Sequence, residues 1–375
     1  MPHAPGTIRD AVVAYLSDLG RDAALADIST AVAASAGKVS PSSIRSYLNL
    51  NVPDLFERTG RGRYRLKAPG QPEPIAPPGD PVLRIGLARL YHADCFAWLA
   101  ACAPDSIHAV VTDPPYGLRE YSRTEQEKLR RGRGGVWRIP PAFDGHKRSP
   151  LPRFTVLDAE DHAALSRFFR RLGHALMRAV VPGANVLVAS NPLLAHLVAG
   201  AMRESGLELR GTIVRLTMTM RGGDRPKNAH TEFAGISVMP RSMWEPWVVL
   251  RKPLEGRVQD NLRKWQTGGF RRPGPDRPFG DVIRSNPTTR AERLIAPHPS
   301  LKPQSFLRQI VRASLPLGEG VVFDPFAGSG STLAAANAVG YRSVGIENDA
   351  GYIAIALPAV SRLGLLRVAD PGFVI

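Results

Sequence analysis

Apolar positions along this chain change their period several times, and each change marks an element. In "TIRDAVVAYLSDLG", Ile8, Val12, Leu16 and Leu19 recur at helical spacing and the run stops at Gly20. A second helix is expected over "LADISTAVAASAG". A third follows in "SPSSIRSYLNL", with Ser40 as N-cap and Pro41 at the first helical position. "LFERTGRGRYRLK" then reads as a basic hairpin turning at Gly60 to Gly62. Residues 1–67 therefore form a module of their own, and "APGQPEPIAPPGDP", residues 68–81, a semi-rigid proline-rich linker.

From residue 82 to 375 the signals alternate. "LRIGLARLYHAD" suggests strands, "FAWLAACA" a helix and "IHAVVTD" a buried strand. A basic stretch of low order runs from Leu118 to about Arg153 and includes "KLRRGRGG". Beyond it, "DHAALSRFFRRLGHALMRAV" is a helix, "NVLVAS" a strand, "PLLAHLVAGAMRESG" a helix and "RGTIVRLTM" a strand. Near the end "FLRQIVRASL", "GVVFD", "STLAAANAVG" and "RSVGIE" repeat the alternation. The fold class this predicts is α/β, a mostly parallel twisted sheet with helices on both faces.

Charge changes the picture more than composition does. A net charge of +16 calls for a polyanionic partner, and nucleic acid is the first candidate. The three helices and hairpin of residues 1–67 resemble a winged helix-turn-helix, whose third helix would enter a DNA groove. Arg58, Arg61, Arg63, Arg65 and Lys67 support that reading; the alternative is a small domain that only docks on its neighbour. From Thr217 to about Ser300 the chain is rich in Arg, Gly and Pro, with Trp244, Trp247 and Trp265, and "MRGGDRPKN" and "NLRKWQTGGFRRPG" mix cations with stacking groups as a target-recognition region would. The most apolar region, Leu176 to Met202, is interrupted by Arg178, Pro182, Asn185, Asn191 and Pro192, which speaks against a membrane span. Two cysteines, Cys95 and Cys102, are too few for a disulfide scaffold or a four-cysteine zinc site, so a cytoplasmic location is expected.

Two short stretches carry candidate chemistry. "VVTDPPYG" ends a buried strand on Asp113 and stiffens the chain beyond it with Pro114 and Pro115 before Tyr116. "GVVFDPFAGSGST" ends another on Asp324, turns through Gly328 and Gly330 and starts a helix near Ser331; Glu347 closes the next strand. Glycines there let backbone approach a ligand, and an acid at the following strand end can hold ribose hydroxyls. A dinucleotide fingerprint is excluded because its third glycine would fall on Leu333, and a P-loop because no Gly-Lys-Ser/Thr follows.

With "TDPPYG" first, "HPSLKP" (His298 to Pro303) next and "DPFAGSGST" last, the chain resembles the beta class of amino-group DNA methyltransferases over roughly Val82 to Leu357. The resemblance implies S-adenosyl-L-methionine as cofactor, held by Asp324, Pro325, Phe326, Gly328, Gly330, Ser331, Thr332 and Glu347. Lys302 reads either as a partner of the cofactor carboxylate or as a surface charge. Catalysis would fall to Asp113, Pro114, Pro115 and Tyr116. Asp113 and a backbone carbonyl would accept from the exocyclic amine, and Tyr116 would stack on the flipped base. Asp94 stands where the family places an acid near the target base, though a turn residue there is an equal reading. His298 has no partners at metal-ligand spacing, and no metal is expected. An Asp at the head of the tetrapeptide goes mostly with adenine N6 in that family, so this base is favoured over cytosine N4; a non-catalytic DNA-binding regulator is the remaining alternative. The partners implied are double-stranded DNA, a second copy of the chain and a cognate restriction endonuclease.

Overall fold

The computed structural model describes residues 7–37, 39–50, 52, 56–66, 79–115, 157–221, 225–226, 228–240, 242–298 and 300–368. Tyr116, Lys67, most of the linker and the basic stretch after Leu118 lie outside the described residues. The chain divides into two units, residues 1–76 with 274–277, and residues 77–273 with 278–375.

In the first unit, α1 (Thr7–Leu19), α2 (Leu25–Ala36) and α3 (Pro41–Leu50) bury the apolar face that the sequence marks out. Val12, Leu16, Ile28, Val32, Ile44 and Leu48 close around Phe56 and Tyr64 in one core. Ser40 caps α3 by accepting from the Ser43 amide at 3.1 Å. Strands β1 (Ala23–Ala24), β2 (Phe56–Gly60) and β3 (Arg63–Leu66) form an antiparallel sheet in the order β1-β3-β2. The hairpin is less basic than its sequence suggests. Arg63 pairs with Asp22 at 2.6 Å and Arg65 with Glu57 at 2.6 Å, so two of its cations already have acid partners.

The second unit is built on nine strands. They are β4 (Leu83–Ile85), β5 (Ala88–His92), β6 (Ile107–Thr112), β7 (Val180–Ala189), β8 (Glu208–Arg221), β9 (Ser242–Arg251), β10 (Val282–Arg284), β11 (Val321–Asp324) and β12 (Arg342–Glu347). Their order in the sheet is β10-β8-β9-β7-β6-β11-β12-β5-β4. The run β7-β6-β11-β12-β5 is parallel throughout, whereas β9 is antiparallel to both its neighbours and β4 is antiparallel to β5. Helices α4 (Cys95–Ala101), α5 (Ala159–Ala179), α6 (Ala195–Arg203), α7 (Val258–Trp265), α8 (Arg290–Ile295), α9 (Gln304–Ser314), α10 (Ser331–Ala338) and α11 (Ala350–Gly364) complete it. Ala109 and Val111 of β6 face Phe306, Leu307 and Ile310 of α9. Val110, one step out of phase, is equally buried, so both faces of the sheet are covered. Among the described residues no helix is long and apolar enough to cross a membrane.

Strands β9 and β10 were not expected. They lie within residues 217–300, which the sequence assigns to target recognition, and β9 sits between β7 and β8 in the sheet. Trp247 is accordingly a core residue, 1% exposed, whereas Trp244 on the same strand is 39% exposed. The physical reason is strand alternation: on β9 the inward positions pack against α9, whatever the basic composition around them.

Candidate active site

Strands β6, β11 and β12 are parallel neighbours, so Asp113, Asp324 and Glu347 all fall at one carboxyl edge. Ligands of open α/β sheets sit outside that edge. The strand ends are tied together there. Thr112 Oγ1 donates to Asp324 Oδ1 at 2.7 Å, and the Phe326 amide donates to the same oxygen at 3.1 Å. Asp324 thus orders the turn that follows it. Burial pushes its carboxyl up to about 6, against the bonds from Thr112, Thr332 and the Phe326 amide, which favour the charged form.

The turn itself needs its glycines. Gly328 and Gly330 have φ of +52° and +78°, in the left-handed region. A Cβ on Gly330 would stand 2.4 Å from Val360 Cγ2, and one on Gly328 would meet His298 Nε2 at 3.2 Å. Glu347 is bound to this turn from behind: its Oε2 accepts from the Gly328 amide and its Oε1 from the Asp349 amide, each at 2.8 Å.

"HPSLKP" leads into α9. Gln304, at the start of that helix, donates its amide to Glu292 at 2.7 Å and its Nε2 to the Ser331 carbonyl at 2.9 Å, which anchors the segment to the glycine turn. Lys302 is no surface charge. Its Nζ lies 2.5 Å from Asp113 Oδ2 and 3.1 Å from Glu245 Oε1, and its side chain is 14% exposed. Burial works against its charge, yet Asp113 and Glu245 together raise its pKa above the ordinary lysine value. Burial likewise opposes ionisation of Glu245, but Lys302 and Arg215 outweigh it and hold the carboxyl below its usual value. Arg215 reaches Glu245 at 2.6 Å, and its Nε donates to Ser285 Oγ at 3.0 Å.

One cleft collects half of the residues that the sequence singles out. Asp113, Asp324, Phe326, Gly328, Ser331, Thr332 and Lys302 border it, together with His298 and Trp247. Glu347 stands behind Gly328. Pro114 is buried and Pro115 exposed at the mouth of β6, and Pro325 and Gly330 are buried within the turn. Asp94 follows β5, the strand paired with β12, and there caps α4 by accepting from the Ala97 amide at 2.9 Å. Its neighbour Ala93 donates to the Glu347 carbonyl at 3.0 Å. Three further groups escaped sequence reasoning. Glu245 and Arg215 pair across strands, a register that local pattern does not show. His298, which has no partners at metal-ligand spacing in the sequence, packs on Tyr352 with ring centroids 4.3 Å apart and borders the cleft; burial lowers its pKa.

Comparison with known proteins gives the family. The model of the N6/N4 DNA methylase family matches residues 107–358, from β6 into α11. The chain belongs to this DNA methylase family. Within it, the chain is 37% identical over 269 residues to type II methyltransferase M2.DpnII of Streptococcus pneumoniae, covering 71% of this chain and 87% of that one. It is 22% identical over 303 residues to type II methyltransferase M.HindIII of Haemophilus influenzae, covering 74% and 95%. Among solved structures, a DNA modification methylase of Thermus thermophilus, TTHA0409, complexed with S-adenosyl-L-methionine, is 22% identical with a TM-score of 0.46, covering 76% of this chain and 96% of that one. The family match takes in both the Asp113 segment and the glycine turn of this DNA methylase, and leaves residues 1–76 outside.

Proposed function

We propose that this chain transfers a methyl group from S-adenosyl-L-methionine to the exocyclic N6 of an adenine flipped out of double-stranded DNA. The observation that carries the reading is the shared cleft: Asp113 and the Gly328 turn, from adjacent strands, border one cavity with Lys302. The donor set suits the cofactor. Glu347 offers a carboxylate beside a turn in which the left-handed φ of Gly328 and Gly330 calls for glycine, Phe326 an aromatic face and Lys302 a cation for a carboxylate. When bound, the sulfonium supplies an electrophilic methyl group.

The protein's own task is to make the amine a nucleophile. Its lone pair is delocalised into the ring, and attack requires that pair to be localised on nitrogen. Acceptors aimed at the N–H bonds favour the change and stabilise the positive charge that develops. Asp113 supplies one acceptor and the Pro114 carbonyl the other; the ring of Pro115 fixes φ and removes a competing N–H. Tyr116, outside the described residues, would stack on the flipped base. Mass spectrometry of nucleosides from DNA incubated with enzyme and cofactor tests the assignment. N6-methyladenine is the expected product. N4-methylcytosine alone would move the reaction to the other amine, and no methylated base on varied DNA would remove the reading.

The first unit and the basic segments between about 217 and 300 are assigned to DNA. Removing residues 1–76 is expected to leave cofactor binding intact and to weaken DNA binding. For every phosphate the truncated protein no longer neutralises, the slope of log affinity against log salt should fall by about 0.9. An unchanged slope in the truncated protein would make the unit a docking domain. The names of the relatives, type II methyltransferases, put forward a cognate restriction endonuclease as the biological counterpart.

A further inference from the structure

Four charged side chains of alternating sign run into the cleft: Arg215, Glu245, Lys302 and Asp113, at successive separations of 2.6, 3.1 and 2.5 Å. Their side chains are 9%, 18%, 14% and 17% exposed, so each is largely withdrawn from water. A row of this kind is a poor device for stability, because apolar side chains of similar volume usually serve as well or better. It is a good device for holding one charge still. Arg215 and Glu245 are direct cross-strand partners on β8 and β9, so the sheet itself fixes them. Lys302 ends a flexible four-carbon stem and would otherwise sample many positions.

We propose that Glu245, backed by Arg215, is a positioning residue that fixes the Lys302 ammonium against Asp113, so that one cation serves both the cofactor side and the acceptor side of the cleft. The inference rests on the reading of this cleft as a methyltransferase site. An ammonium has three N–H donors. Two directions are taken by Asp113 and Glu245, and Lys302 also borders the cleft, where a third donor can meet a carboxylate. Without Glu245, the ammonium would be drawn toward Asp113 alone and its distance to a cofactor carboxylate would no longer be set.

The groups that face Lys302 are Asp113 beyond β6, Glu245 on β9, Arg215 on β8 and His298 in its own segment. Of these, Asp113 and Glu245 raise its pKa and Arg215 lowers it, so E245Q should let the ammonium lose its proton at lower pH. The experiment is calorimetric titration of the full chain with S-adenosyl-L-methionine, from about pH 6.5 to 9.5, in wild type, E245Q, E245D, K302M and the double variant E245Q/K302M. Losing one charge-assisted bond predicts affinity lower by about tenfold to a hundredfold in E245Q. The loss should deepen as pH rises, E245D should recover most of it, and E245Q should add nothing once Lys302 is Met. Additive effects of E245Q and K302M, or an unchanged affinity and pH profile in E245Q, would overturn the positioning role. Should E245Q not fold, R215Q reads the same coupling one step away, and an unchanged affinity there overturns it equally. Wild-type protein that binds no S-adenosyl-L-methionine at all would overturn the methyltransferase reading, a result distinct from either.

Discussion

Asp113→Ala is expected to lower kcat by about a thousandfold, with cofactor affinity changed by less than about tenfold; a single preorganised polar group facing developing charge is worth roughly that much. In the proposed mechanism Asp113 would engage the amine only as nitrogen moves toward tetrahedral geometry, so its loss should appear in the chemical step and less in binding. A complication comes from Lys302, which would keep Glu245 but lose Asp113 as a partner. Leaving a buried cation short of acceptors destabilises a fold. Asp113→Asn answers this, since its amide retains an acceptor and the shape of the side chain. Both variants should therefore be read beside their melting temperatures and their calorimetric cofactor binding. Single-turnover methylation of cognate DNA supplies the rate. A folded, cofactor-binding Asp113→Ala protein that methylates within about tenfold of wild type would remove Asp113 from the chemistry.

How far the sequence discloses this site depends on the range of the interaction. Strand ends marked by Asp113, Asp324 and Glu347 are local signals, because a short strand-forming segment stops at each acid, and all three fall on one edge of the sheet. The glycine turn is local as well, with the left-handed φ of Gly328 and Gly330 written in the residue type. The links that join those pieces are not local. Lys302 meets Asp113 across 189 positions, and Thr112 meets Asp324 across 212. No periodicity reports such a contact. Strand β9 was hidden for a different reason. "SMWEPWVVLR" lies in a stretch whose Arg, Gly and Pro content speaks of an exposed loop, and Pro246 argues further against a strand. Only the burial of residues 246–250 between β7 and β8 reveals it, and with it the inward place of Glu245. The first unit gives the reverse case. Its helices and hairpin follow apolar spacing closely, yet the hairpin's charge does not, because Asp22 and Glu57 sit within reach of Arg63 and Arg65.

Asp324 provides the second large effect, this time on stability. Its folded pKa, about 6, lies above the reference of 3.8, so the fold favours the protonated carboxyl. Stability from that preference is fully present below about pH 4 and is lost as pH rises through about 6. A shift of that size corresponds to an order-of-magnitude cost of about 3 kcal/mol at neutral pH. Asp324→Asn should remove it. An amide oxygen can still accept from Thr112 Oγ1 and the Phe326 amide, while the Nδ2 group can donate to the Thr332 hydroxyl. Other acids titrate over the same range, so the informative quantity is the difference between variant and wild type. That difference in melting temperature should be small near about pH 4 and should grow in favour of Asn up to about pH 7. Parallel curves would mean that Asp324 does not titrate with folding in this window. If the gap opens as expected, the natural aspartate is kept at a cost to stability, and its neighbours at the cleft give the reason: an ionised Asp324 beside the glycine turn adds negative charge where a cationic cofactor is proposed to bind.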